Sequence, residues 1–336
     1  MQSAHGFPDR ATRDAFQRWR SSEPTTVFDS KQLYDGQPLF WDDAQTSGAG
    51  TSSTHVINRA STSLGVLAVT AGTRVRQSRR WVSYQPGKSQ QILMTFVFGA
   101  AAAGITRRVG QFETNNGLYL EQVSTGARFV RRSFVSGAAV NEVVDQADWN
   151  IDQLNGGGPS GITLDLTKAQ ILIIDYEWLG VGLVRFGFVV DGAVVYAHQM
   201  AHANVLTSVY MSSPNLPLRF EISNDGAGAG STLECICCGV ASEGGRTDPG
   251  FPFSIDRSTT PLVTLNDADL YPLAAIRLAA GRTGANIRLR NSEIVCTATT
   301  SYLWRLIMNP TVTGVALAFS AITNSFVEAD VARVNT

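Results

Sequence analysis

Few residues of this chain have the types and spacing to do chemistry, and the sharpest pair is Asp175 and Glu177. They alternate with Ile174, Tyr176 and Trp178, a period of two that puts both carboxylates on one face of a strand. Two carboxylates on the concave face of a sandwich are what a retaining glycoside hydrolase uses as nucleophile and general acid, so this pair supplies the enzymatic reading. The competing reading is a cross-strand ladder with Arg185 on the neighbouring strand. The ladder is the expectation, with no catalytic residue and no enzyme.

His198 and His202 stand four apart, which on a helix would aim two imidazoles at one metal. Here they leave a strand, no third ligand is near, and the chain's other histidines are His5 and His55. In Cys235-Ile236-Cys237-Cys238, alternation gives Cys235 and Cys237 one face and Cys238 the other, as buried thiols rather than a metal site or disulfide framework. Asn155–Pro159 is glycine-rich, but no Lys-Ser or Lys-Thr pair follows it, and no G-x-G-x-x-G opens a helix after a strand. The sequence therefore calls for no metal and no cofactor. The pairs Arg79-Arg80, Arg107-Arg108 and Arg131-Arg132 fall inside expected strands, so one arginine of each pair faces a sheet interior or a subunit interface.

These residues have to be positioned by strands. From Gly161 to Gln199 short β-branched and aromatic runs, Gln170–Trp178 and Leu183–Val190, are broken by Leu179-Gly180-Val181-Gly182 and Asp191-Gly192, which reads as antiparallel hairpins. Further strands are expected at Ala60–Val69, Thr73–Tyr84, Gln90–Phe98, Thr106–Thr114, Leu118–Val123, Ala127–Ser136, Ala193–Gln199, Leu218–Ser223 and Leu233–Ala241. Short strands at this spacing predict an all-β fold, a jelly-roll-like antiparallel sandwich over residues 55–245. Glu243–Gly250 reads as a linker, and residues 246–336 as a smaller C-terminal β domain with strands at Ala274–Leu278, Ile287–Thr297, Leu303–Met308 and Ala316–Ala321.

Residues 1–54 read as an N-terminal helix and extended arm. Asp9–Arg20 has a narrow apolar stripe flanked by arginines, and the following segment carries irregularly spaced aromatics. Arg10, Arg13, Phe16, Trp19, Phe40 and Trp41 are the expected partner contacts of that arm, and Thr46–Thr54 reads as an exposed loop.

The 336 residues carry 16% charged side chains, against roughly 25% for an average globular domain. Such a surface suits an assembly, for which a homotrimer is the expectation, its interfaces including Arg107 and Arg131. A net charge of −1 gives no footprint for nucleic acid. No run approaches the ~18 apolar residues of a membrane span and no signal peptide is seen, so cytoplasmic synthesis without membrane insertion is expected.

Several blocks of the sequence resemble a family of tailed-bacteriophage virion proteins. They are Val27–Gln32, Gln37–Asp43, Tyr84–Gln90, Ala147–Asp152, Gly158–Asp165, Tyr176–Gly182, Met211–Pro217 and Val240–Gly245. The resemblance implies a non-enzymatic, multi-copy structural protein of the virion, assembled in the host cytoplasm with other capsid or tail proteins as partners. A capsid-decorating or cement role comes first, a tail or fibre component second. A receptor-binding, lectin-like module recognising a host glycan is the alternative from the binding class, and a glycoside hydrolase the remote one.

Overall fold

In the computed structural model, residues 23–245, 250–256, 272–282, 284–293, 304–312 and 316–331 are described. The chain divides into two units, Met1–Asp248 and Pro249–Thr336.

The first unit is an all-β sandwich of two antiparallel sheets. One sheet has eight strands: β1 (Pro24–Lys31), β3 (Thr51–Val56), β4 (Ser61–Val66), β6 (Ser89–Val97), β11 (Gln170–Tyr176), β12 (Leu183–Val190), β13 (Ala193–Ala201) and β15 (Ser231–Glu243). They run in the order β13-β12-β11-β6-β15-β4-β3, with β1 paired to the C-terminal half of β15. The other sheet has seven: β2 (Trp41–Gly48), β5 (Gly72–Ser78), β7 (Ile105–Phe112), β8 (Gly117–Val123), β9 (Gly126–Ser133), β10 (Val140–Asp145) and β14 (Leu218–Asn224), ordered β10-β9-β8-β7-β14-β5-β2.

Alternation in each strand sends one set of side chains between the sheets. Ile92, Met94, Phe96, Leu172, Ile174, Val184, Phe186 and Phe188 come from the first sheet and meet Val109, Leu118, Leu120, Phe129, Phe220 and Ile222 from the second. Phe129 on β9 stacks on Phe186 of β12 at 4.6 Å, tying the two layers together. Full burial of one such ring contributes on the order of 1.5–3 kcal/mol. The β12–β13 hairpin turns on Asp191 and Gly192, both at positive φ (49° and 82°), as its Asp-Gly pair predicts.

The segment 23–54 is not an arm in this structure, because its strands complete the sheets. β1 pairs with β15, β2 with β5 and β3 with β4. The Gly/Ser/Thr-rich stretch read as a loop is a β2–β3 connection with both strands extending into it, turned by Gly48 and Gly50 at positive φ. Trp41, expected to grip a partner, is 2% exposed inside the sandwich. Its Nε1 donates to Ser30 Oγ at 2.8 Å, and its ring meets Phe220 at 5.7 Å and the Arg76 guanidinium at 5.0 Å. Phe40, one residue earlier, keeps 46% exposure beside Tyr34 and Leu39 on the β1–β2 connection. Arg10, Arg13, Phe16 and Trp19 lie outside the described residues.

Two of the three arginine pairs divide as alternation requires, Arg107-Arg108 and Arg131-Arg132, and their inward members find partners within the chain. Arg107 points between the sheets and donates to Thr232 O at 2.9 Å, Ala100 O at 3.0 Å and Gln122 Oε1 at 2.8 Å, and burial lowers its pKa to about 10. Arg131 pairs with Glu142 at the rim of the core and covers the Tyr210 ring. Arg79 and Arg80 fall just past the end of β5 and are exposed.

In the second unit, β16 (Ala275–Leu278), β17 (Ser320–Ala321) and β18 (Val327–Asp330) form a small antiparallel sheet with β18 in the middle. Of the strand expected at Leu303–Met308, the described part, Trp304–Met308, is not a strand and is exposed throughout. Of the strand expected at Ile287–Thr297, the described part, Ile287–Glu293, is not a strand, and the rest lies outside the described residues.

Candidate functional site

The outward face of the eight-stranded sheet holds the one acidic residue singled out as chemistry that the fold buries. Asp175, on β11, is 4% exposed although it points away from the core. Its register partner on β12 is Arg185, whose Nη2 donates to Oδ2 of the carboxylate. The Tyr196 hydroxyl of β13 donates to the same oxygen at 3.0 Å, and the Arg185 guanidinium lies 4.4 Å from the centre of the Tyr196 ring. Burial, then the neighbouring Asp175 charge, push the Tyr196 pKa up to about 12, so the hydroxyl stays a donor.

The cross-strand ladder expected between Asp175 and Arg185 is present. Glu177 follows the end of β11 and is exposed. The pair therefore does not form two matched carboxylates: one is already engaged by a guanidinium and a phenol, and the other stands beyond the strand.

Tyr196 was not legible as part of this cluster, for a definite reason. Strict alternation would put Tyr196 and His198 on the same face. A bulge in β13, opposite the step from Phe186 to Gly187, inserts Ala197 and sends both Ala197 and His198 inward while Tyr196 stays outward. Gly187 permits this close approach, since a Cβ there would lie 2.7 Å from the Tyr196 Cα. Bulges re-aim side chains and recur beside binding sites.

The histidines do not meet at a metal. His198 Nδ1 accepts the Asn150 N–H at 3.2 Å, and its ring packs 6.5 Å from Phe129. His202 stacks on Tyr210 at 4.3 Å, with Nδ1 2.7 Å from Gly182 O. Burial lowers the pKa of both. Cys235 and Cys238 are buried, which raises their thiol pKa values well above 9.0, and Cys237 is half-buried with Sγ 3.2 Å from Thr95 Oγ1. Cys235 and Cys237 do not share a face as alternation predicts, because β15 carries a bulge between them. Among the described residues no group of three or more His, Cys, Asp or Glu could hold a metal ion.

The outward face of the seven-stranded sheet is an ion ladder. Glu121 on β8 accepts from Arg108 at 2.5 Å and Arg128 at 2.6 Å, and Glu221 on β14 accepts from Arg108 at 2.5 Å and from Arg219. Beneath it Phe112, Tyr119 and Val130 form a separate apolar cluster, with Arg219 5.2 Å from the Phe112 ring and Arg132 5.2 Å from the Tyr119 ring. Burial alone would raise the Glu221 carboxyl, but Arg219 and Arg108 outweigh it and hold the pKa below 4.5. Each carboxylate here is shared between two guanidiniums, which is a structural arrangement.

No family model and no curated protein matches the chain. Solved structures do. The Emp47p carbohydrate recognition domain is 11% identical, with 65% of this chain and 95% of that one covered at a TM-score of 0.37. A glycosyl hydrolase family protein from Mycobacterium fortuitum is 12% identical, with 64% and 99% covered at 0.40. The CBM2 module of the evolved Dit of Lactobacillus casei BL23 phage J-1 is 9% identical, with 68% and 100% covered at 0.40.

Proposed function

We propose that this chain is a non-enzymatic structural protein of a tailed-bacteriophage virion. The observation that carries the non-enzymatic part is the state of Asp175. A retaining glycosidase needs two carboxyl groups roughly 5 Å apart on either side of the scissile bond. Here Asp175 is held by Arg185 and Tyr196, and Glu177 has left the strand. The virion part is supported by the resemblance of the blocks between Val27 and Gly245. Capsid decoration remains the first role within it. Since β1, β2 and β3 belong to the sandwich, they do not supply a reaching segment, and the exposed Tyr34, Leu39 and Phe40 on the β1–β2 connection are apolar groups available to a neighbour.

The second reading, glycan recognition, is favoured by the outward face around Asp175, where amides, one paired charge couple and an aromatic ring lie together.

Peptide mapping of purified particles, followed by imaging of the intact virion, tests the first reading. The chain is expected in many copies on the particle surface, and its absence from particles overturns the proposal. Incubating the purified chain with polysaccharides tests the non-enzymatic part. Cleavage that disappears in Asp175→Asn/Glu177→Gln would make it an enzyme.

A further inference from the structure

The strand register of the eight-stranded sheet lines up a row of polar side chains that the ion pair alone does not explain. Gln199 on β13, Arg185 on β12, Asp175 on β11 and Gln91 on β6 are direct lateral neighbours. At about 4.8 Å between adjacent strands, the row is about 14 Å long. Its charges cancel, because Arg185 and Asp175 neutralise one another. At its two ends stand side-chain amides with no hydrogen-bond partner among the described residues, Gln199 exposed and Gln91 half-buried. The neighbouring row, Tyr196, Gly187, Ile173, Leu93 and Gly239, presents an aromatic ring at one end with small or aliphatic residues beyond it, and its one charge, the exposed Asp29 of β1, stands at the far end opposite Gly239.

We infer that this face binds a neutral oligosaccharide laid across the strands. The inference rests on the glycan reading above and names its site. A pyranose ring carries hydroxyls on its rim and C–H groups on its faces. Hydroxyls both donate and accept, and the two glutamine amides do the same, while Arg185 only donates and the buried Asp175 serves to hold Arg185 and Tyr196 in place. The C–H faces match the exposed parts of the Tyr196 ring and the Leu93 side chain, both half-buried, which stand either side of the fully covered Ile173. An anionic polymer fits less well, since any carboxylate or sulfate drawn to Arg185 would have to displace or approach Asp175. The Asp175–Arg185–Tyr196 cluster is already locked by its own contacts, so little ordering is required of it when a ligand arrives.

The test uses the full chain and three neutral probes, cellotriose, maltotriose and mannotriose, with trigalacturonate as the anionic comparator. Saturation-transfer NMR followed by titration calorimetry is expected to show binding of at least one neutral trisaccharide. Gln91→Ala with Gln199→Ala should weaken it about tenfold, the combined value of two hydrogen-bonding amides. Gln77→Ala, on the other sheet, should leave it unchanged, and the thermal midpoint of the double variant should stay at the wild-type value. If none of the four probes binds, the inference fails and the glycan reading falls with it; if trigalacturonate binds more tightly than the neutral sugars, the inference of a neutral ligand fails while the glycan reading stands. Should a neutral trisaccharide bind the Gln91→Ala/Gln199→Ala chain as it binds wild type, the glycan reading survives but this face is not the site.

Discussion

Asp175 and Arg185 stand directly opposite one another on β11 and β12, and the Tyr196 hydroxyl donates to the carboxylate oxygen that Arg185 also holds. A carboxylate with 4% exposure depends on these donors. Arg185→Ala should therefore cost about 1–3 kcal/mol in urea unfolding, because it strands a buried charge with one donor. Asp175→Leu with Arg185→Leu and Tyr196→Phe should recover most of that loss, as removing all three polar groups of the cluster leaves none of them unsatisfied.

Acid should weaken the sandwich in two windows. His198 and His202 have pKa values depressed by burial below 6.5, so the unfolded chain takes up protons first. Their stabilising contribution is complete above pH 6.5 and declines as pH falls from there through the folded values. Glu221, held below 4.5, adds a second decline that begins only under pH 4.5. Calorimetric midpoints measured against pH should show both, with His198→Gln reducing the first and Glu221→Gln the second.

The neighbours Trp41 and Phe40 should behave oppositely. Trp41→Ala empties a fully packed site and should cost about 3–5 kcal/mol in denaturant unfolding. Phe40→Ala removes a half-exposed ring whose contact is an edge-to-face approach to Phe28 at 6.1 Å, and should cost about 1 kcal/mol. If the β1–β2 connection meets a neighbour on the particle, incorporation should suffer in Phe40→Ala while the isolated chain stays folded.

Alkylation should separate the thiols. Among the three described cysteines, Cys237 is half-buried and should be modified first in the native chain, whereas Cys235 and Cys238, buried and hard to ionise, should react only on unfolding. Mass spectrometry after a timed iodoacetamide pulse reads the order.

The hairpins between Gln170 and Ala201 were legible because β-branched runs and an Asp-Gly turn agree with one another. β1, β2 and β3 were not. Trp41-Asp42-Asp43-Ala44-Gln45 alternates weakly, and its side chains read as polar until Arg76 is placed beside Asp43, 2.7 Å from both carboxylate oxygens. A polar strand satisfied by a distant buried arginine leaves no local hydrophobic period. At the candidate site, the Asp175–Arg185 pairing followed from register on adjacent strands. Tyr196 and Gln91 did not, because one depends on a bulge and the other on a β6–β11 pairing that sequence spacing does not reveal.

The two sheets are both closed by strands made late. β14 lies between β5 and β7, and β15 is flanked by β6 on one side and by β4 and β1 on the other, so that Pro24 waits for Glu243. On a ribosome adding about 5–20 residues per second, the early strands spend on the order of ten seconds or more with open edges. Contacts of such high sequence separation also slow folding itself. A nascent chain of this kind is a natural client for a chaperone. A product truncated before Ser231 would keep every strand of the seven-stranded sheet but lose the strand that joins β6 to β4 and β1 in the other, leaving their edges open.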